Sequence, residues 1–144
     1  MWRQFIAKWH KHNAGFFTFG CSPMSRPILP ESNIHPAIRE KISSHQQAIV
    51  REVQAAVARH AVVVVGMGIN PFPKKARNAL DAASVAYEYL EYGNYFNSWR
   101  QRNALKMWTG WPTLPMVFVK GSLVGGASDL IQLISSGELK KLLD

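Results

Sequence analysis

The sequence predicts an α/β fold in which a four-stranded mixed sheet is flanked by helices, with a helical extension at the N-terminus. Three observations carry this. Ala61–Val65 is a continuous apolar, β-branched run, which reads as a central strand buried on both faces. It passes through the Gly-rich turn Gly66-Met67-Gly68 into a helical segment that opens at Asn70-Pro71. Further on, Met116-Val117-Phe118-Val119 and Leu123-Val124 flank Lys120-Gly121-Ser122, the pattern of a β-hairpin.

The elements follow in order. Residues 1–20 mix basic residues with Trp2, Phe5, Trp9, Phe16, Phe17 and Phe19, without the sustained apolar run of a signal peptide or membrane span. A short docking helix or strap is the expected reading; an acid-free start of this kind also suits a targeting segment or a membrane-touching helix. Cys21–Pro30 holds Pro23, Pro27 and Pro30 and reads as an extended linker. Residues 1–35 are therefore expected to be an arm and linker, and 36–144 the folded domain. From Pro36 to His60, Ile38, Ile42, Ile49, Val53 and Val57 recur near helical spacing, which predicts one long amphipathic helix. After the first strand, a helix is expected over Phe72–Ala83, a strand over Val85–Tyr89 or slightly beyond, and a helix over Trp99–Met107. The hairpin comes next, then a helix over Leu130–Ile134, with Gly137 separating it from a short tail at Glu138–Leu143.

Composition narrows the chemistry. The chain of 144 residues is long enough for one domain and an extension, and a single cysteine, Cys21, excludes an internal disulfide. His10, His12, His35, His45 and His60 stand apart from any partner at metal-ligand spacing, so no metal site is expected. The formal charge is +8, and half of the excess falls in residues 1–30, which hold Arg3, Lys8, Lys11 and Arg26 with no acid. That balance permits non-specific attraction to phosphates and suits a small anionic ligand. No specific nucleic-acid signature accompanies it. A cytoplasmic protein without a membrane span is expected, with a targeting segment at residues 1–20 left open.

Taken together, Trp111-Pro112-Thr113-Leu114-Pro115, Val117-Phe118-Val119-Lys120-Gly121, Leu123-Val124-Gly125-Gly126-Ala127-Ser128-Asp129-Leu130 and Ser136-Gly137-Glu138-Leu139 resemble the C-terminal half of a glutaredoxin, a member of the thioredoxin fold. The resemblance covers Ala61–Asp144. It implies a cis proline at Pro115, with Thr113 and Leu114 offering backbone to an extended thiol peptide. It implies that Gly125 and Gly126 let a ligand approach the backbone, and that Ser128 and Asp129 receive the two ends of a γ-glutamyl group at a helix start. Arg102 matches a family position that contacts the glycyl carboxylate. Each has a plainer alternative: Ser128 and Asp129 also suit a helix cap and first turn, and Arg102 a solvated helix face.

The resemblance breaks at its reactive centre. Where a glutaredoxin carries Cys-Pro-Tyr-Cys, this chain carries Asn70-Pro71-Phe72-Pro73, so Asn70 and Pro73 occupy the usual cysteine positions and no catalytic residue is assigned. Met67 stands where the family places a lysine that helps bind glutathione. The absent cysteine also removes the ligand that monothiol members use to share an iron-sulfur cluster. Asn70 is a strong N-cap residue, and Pro71 suits the first helical position. The expectation is a non-classical member, linked by resemblance to thiol and glutathione redox homeostasis. It would bind glutathione or a thiol peptide weakly, on the order of millimolar, without dithiol turnover. Two alternatives stay open: a glutathione-dependent oxidoreductase or transferase using Cys21 or the bound thiol, and a non-catalytic adaptor for a protein partner.

Overall fold

The computed structural model describes residues 26–144. Cys21 and the aromatic, basic start lie outside the described residues. Pro36–Asp144 forms one compact unit, and among the described residues before it Glu31–Asn33 forms a 3-10 turn.

The compact unit contains helices α1 (Pro36–Ser44) and α2 (Gln47–Arg59), strand β1 (Val62–Gly66), helix α3 (Pro71–Ala82), strand β2 (Glu88–Glu91) and helix α4 (Trp99–Thr109). Strands β3 (Met116–Val119) and β4 (Ser122–Gly125) follow, then helices α5 (Ala127–Ser136) and α6 (Glu138–Leu143). The four strands lie in the order β2-β1-β3-β4. Strand β1 pairs parallel with β2 and antiparallel with β3, and β3 pairs antiparallel with β4, so the sheet is mixed as expected.

Successive side chains of a strand point to opposite faces, and β1 uses both. Val63 and Val65 join Leu105 of α4 and Ile49 and Val53 of α2 in one apolar layer. Val62 and Val64 join Ala76 and Leu80 of α3, Leu130 of α5 and Leu139 of α6 in the other. All four valines are 0% exposed, which is why this segment carries no polar residue. The β3–β4 connection is the two-residue Lys120-Gly121, with φ of 45° and 84°, the left-handed pair that matches the twist of a tight hairpin. Gly137, at φ 76°, ends α5 and starts α6.

Two expectations are corrected. The predicted single helix over Pro36–His60 is two helices. The hydroxyls of Ser43 and Ser44 bond back to the Glu40 carbonyl at 3.1 and 2.7 Å, and Gln46 takes a left-handed φ of 50°. Serine hydroxyls compete in this way with the helix ladder. The second strand begins at Glu88 rather than Val85. Val85 and Tyr87 pack against the apolar layer under α3 but precede the paired residues, so burial gave that segment a strand-like composition without strand pairing. Among the described residues, no helix is long and apolar enough to cross a membrane, and no cluster of three or more His, Cys, Asp or Glu could hold a metal ion.

Candidate functional site

Two strand-to-helix turns border one groove, and each is set by glycine. At the first turn, β1 ends at Gly66, where a Cβ would lie 2.8 Å from both the Pro73 Cβ and the Tyr89 Oη. Only glycine lets the start of α3 pack so closely on the strand end. The Tyr89 phenol donates to Glu91 Oε2 at 3.1 Å, and the Arg77 guanidinium stacks 4.1 Å from its ring centroid. Burial, reinforced by Glu91, pushes its pKa up to about 12.

The chain then passes Ile69, at φ 64°, and enters α3 through Asn70. The Asn70 side chain accepts from the Phe72 N–H at 3.0 Å and caps the helix. Pro71 and Pro73 supply no N–H at the first and third helical positions. Helix N-termini gather anions and thiolates through free amides. At this one, two amides are absent by sequence and a third is held by Asn70.

At the second turn, β4 ends at Gly125, whose φ of 115° would strain any other residue, and whose added Cβ would lie 2.5 Å from the Asp129 carboxylate. The Gly126 N–H donates to Asp129 Oδ2 at 2.9 Å, which turns the chain into α5. A Cβ on Gly126 would meet the Pro115 carbonyl at 3.6 Å, Trp111 Cζ2 at 3.7 Å and Asp129 Oδ2 at 3.8 Å, all ordinary contacts. Gly126 is therefore not demanded by the protein's own packing. Ser128 and Asp129 are exposed on the first turn of α5.

Between these turns runs Trp111–Pro115, with the Leu114-Pro115 peptide bond cis. Thr109 fixes its approach: its hydroxyl donates to the Leu105 carbonyl at 2.8 Å and accepts from the Trp111 N–H at 3.1 Å. The groove so formed has a volume of about 440 Å³. Of the residues expected from sequence, it brings together Thr113, Leu114, Pro115, Gly126, Ser128 and Asp129, with Asn70 and Met67 at the other end. Gly125 does not line the groove and is buried at the end of β4. Pro73 is fully buried beneath the turn.

Arg102 is not in the groove. It is only 7% exposed, and its Nη1 donates to the Tyr92 and Asn97 carbonyls at 3.1 and 2.6 Å, pinning the loop that leads into α4. The solvated alternative fails equally. One turn further along α4, Lys106 lines the groove instead. Sequence reading passed over Lys106, and also Tyr95 and Phe72, which border the same space. Lys106 stands at i, i+4 to Arg102 on one helix face, a relation that does not choose which of the two reaches the groove.

The glutaredoxin family model matches residues 71–124. A glutaredoxin-like protein of Dictyostelium discoideum is 43% identical over 98 residues, which are 68% of this chain and 80% of that protein. The mitochondrial monothiol glutaredoxin-5 of Schizosaccharomyces pombe is 29% identical over 125 residues, 83% of each chain. Among solved structures, oxidized glutaredoxin 2 of Chlamydomonas reinhardtii matches with a TM-score of 0.60 at 33% identity, covering 68% of this chain and 92% of that one. A buckwheat glutaredoxin solved as a glutathione complex shares the fold, with a TM-score of 0.61 at 22% identity over 69% of this chain and 90% of that one.

Proposed function

The chain belongs to the glutaredoxin family, and we propose that it binds glutathione, or a thiol peptide of a protein partner, in this groove without thiol-disulfide turnover. One observation carries the reading: Thr113, the cis Pro115 and the Gly126–Asp129 turn share a groove with Asn70, the cap of a helix whose first turn holds two prolines and no cysteine. A ligand would lie along Thr113-Leu114, with its γ-glutamyl carboxylate at the start of α5 and its amine at Asp129. Lys106, not Arg102, is the cation available to the glycyl carboxylate. The glutathione held by the buckwheat neighbour supports a ligand of this class.

Thiol-disulfide exchange requires a thiolate as nucleophile, and Asn70 cannot provide one. Without a mixed disulfide, and with Met67 in place of a lysine, affinity is expected on the order of millimolar, about −4 kcal/mol. For the compartment, we propose the cytoplasm. The name of the mitochondrial relative makes fractionation of the tagged full chain the deciding check.

The test is a glutathione titration of the full chain followed by amide shifts, paired with a glutathione-coupled disulfide-reduction assay. Shifts at Gly126, Ser128, Asp129 and Thr113 with negligible turnover are expected. Unchanged shifts at saturating glutathione would overturn the reading in favour of an adaptor. Substantial turnover abolished by Cys21→Ser would overturn it in favour of an enzyme.

A further inference from the structure

The two ends of the groove differ in chemistry. The start of α5 brings Ser128 and Asp129 to the groove and α4 brings Lys106, which together suit a zwitterionic and carboxylate-bearing ligand. Beside Asn70, the lining away from α5 is apolar: Met67 is 7% exposed, and Phe72 and Tyr95 are 54% and 62% exposed. Aromatic rings that line a groove supply apolar area that a ligand's apolar group can cover.

If glutathione lies as proposed above, its sulfur is directed to this apolar end. There the usual reasons for preferring a free thiol are missing. Among the described residues no side chain can form a disulfide with it, and no lysine stands at Met67 to stabilise a thiolate. Of the amides at the start of α3, two are deleted by Pro71 and Pro73 and one is taken by Asn70. A thiolate would be desolvated against Met67 and Phe72 with little in return. A neutral sulfur carrying an apolar substituent would instead cover Phe72 and Tyr95 and release their water.

We infer that the groove is selective for glutathione thioethers with an apolar S-substituent over glutathione itself. This rests on the proposed glutathione reading of the same groove and names the ligand class it favours.

The experiment compares glutathione, S-hexylglutathione and 1-hexanol as titrants of the full chain, followed by amide shifts and calorimetry. S-hexylglutathione should bind about tenfold or more tighter than glutathione, with both shifting Ser128 and Asp129. In Phe72→Ala and Tyr95→Ala that gain should be abolished, so that the two glutathione compounds bind either variant with the same affinity. Both residues are more than half exposed, so the variants should fold. Glutathione and S-hexylglutathione binding equally at Ser128 and Asp129 would overturn the thioether inference and leave the proposed function standing. So would 1-hexanol matching the affinity of S-hexylglutathione. Failure of both glutathione compounds to bind would overturn the proposed function itself.

Discussion

The two strand-to-helix turns that border the groove are built from the same parts and end in opposite states. Each has a glycine at the strand end, an oxygen-bearing side chain that accepts a backbone N–H, and a helix start facing the same space. At α3, Asn70 and the prolines remove the donors from reach. At α5, Asp129 satisfies only the Gly126 N–H, and no proline interrupts the first turn. Helix geometry alone therefore does not make an anion site. What decides is how many first-turn amides the sequence leaves unspent. In the proposed function the first turn is the closed place of reaction and the second the open place of recognition.

The strongest perturbation of that comparison inserts one methyl at each turn. Gly66→Ala should destabilise the fold by about 1–3 kcal/mol, because Pro73 and Tyr89 cannot both retreat. It should leave glutathione shifts at Ser128 and Asp129 in place. Gly125→Ala should cost a similar amount, through its positive φ and the displaced Asp129 carboxylate, and should abolish those shifts. Urea unfolding and the same titration read both effects. If the two variants behave alike, the turns are not functionally distinct.

A milder pair removes the side-chain acceptors. Asn70→Ala loses a helix cap and should cost about 1 kcal/mol of stability with no change in glutathione affinity. Asp129→Ala should cost a comparable amount and also weaken binding. Thermal melts and calorimetry separate the two outcomes. The smallest expected effect is that of Cys21→Ser, which should leave both stability and ligand binding nearly unchanged, as measured in the same assays.

Much of this was legible in the residues. Val62–Val65 announced a strand buried on both faces because all four positions are apolar, and Lys120-Gly121 announced the tight hairpin. The cap at Asn70 followed from its side-chain chemistry and the proline after it. Other features were hidden because they depend on where a helix face points once it is packed. Arg102 and Lys106 are both cations on α4, and only the packing of the helix sends one under the Tyr92–Asn97 loop and the other into the groove. The break at Gln46 was hidden because the hydrophobic period runs through it. The serine hydroxyls that interrupt the ladder carry no hydrophobic signal at all.

The central claim is that Asn70 occupies the place where this fold would activate a cysteine, and that the turn there is closed by sequence rather than by shape. The direct measurement is the alkylation rate against pH of the thiol in Asn70→Cys, alone and combined with Met67→Lys. Removing the asparagine side chain frees the Phe72 N–H to face the new thiolate, so its pKa should fall below the free-cysteine value of about 8.5. A lysine at position 67 should lower it further by adding a nearby positive charge. Some glutathionylation should accompany both. A pKa at or above about 8.5 in both variants would contradict the account, because Asn70 would then not stand where a thiolate is stabilised.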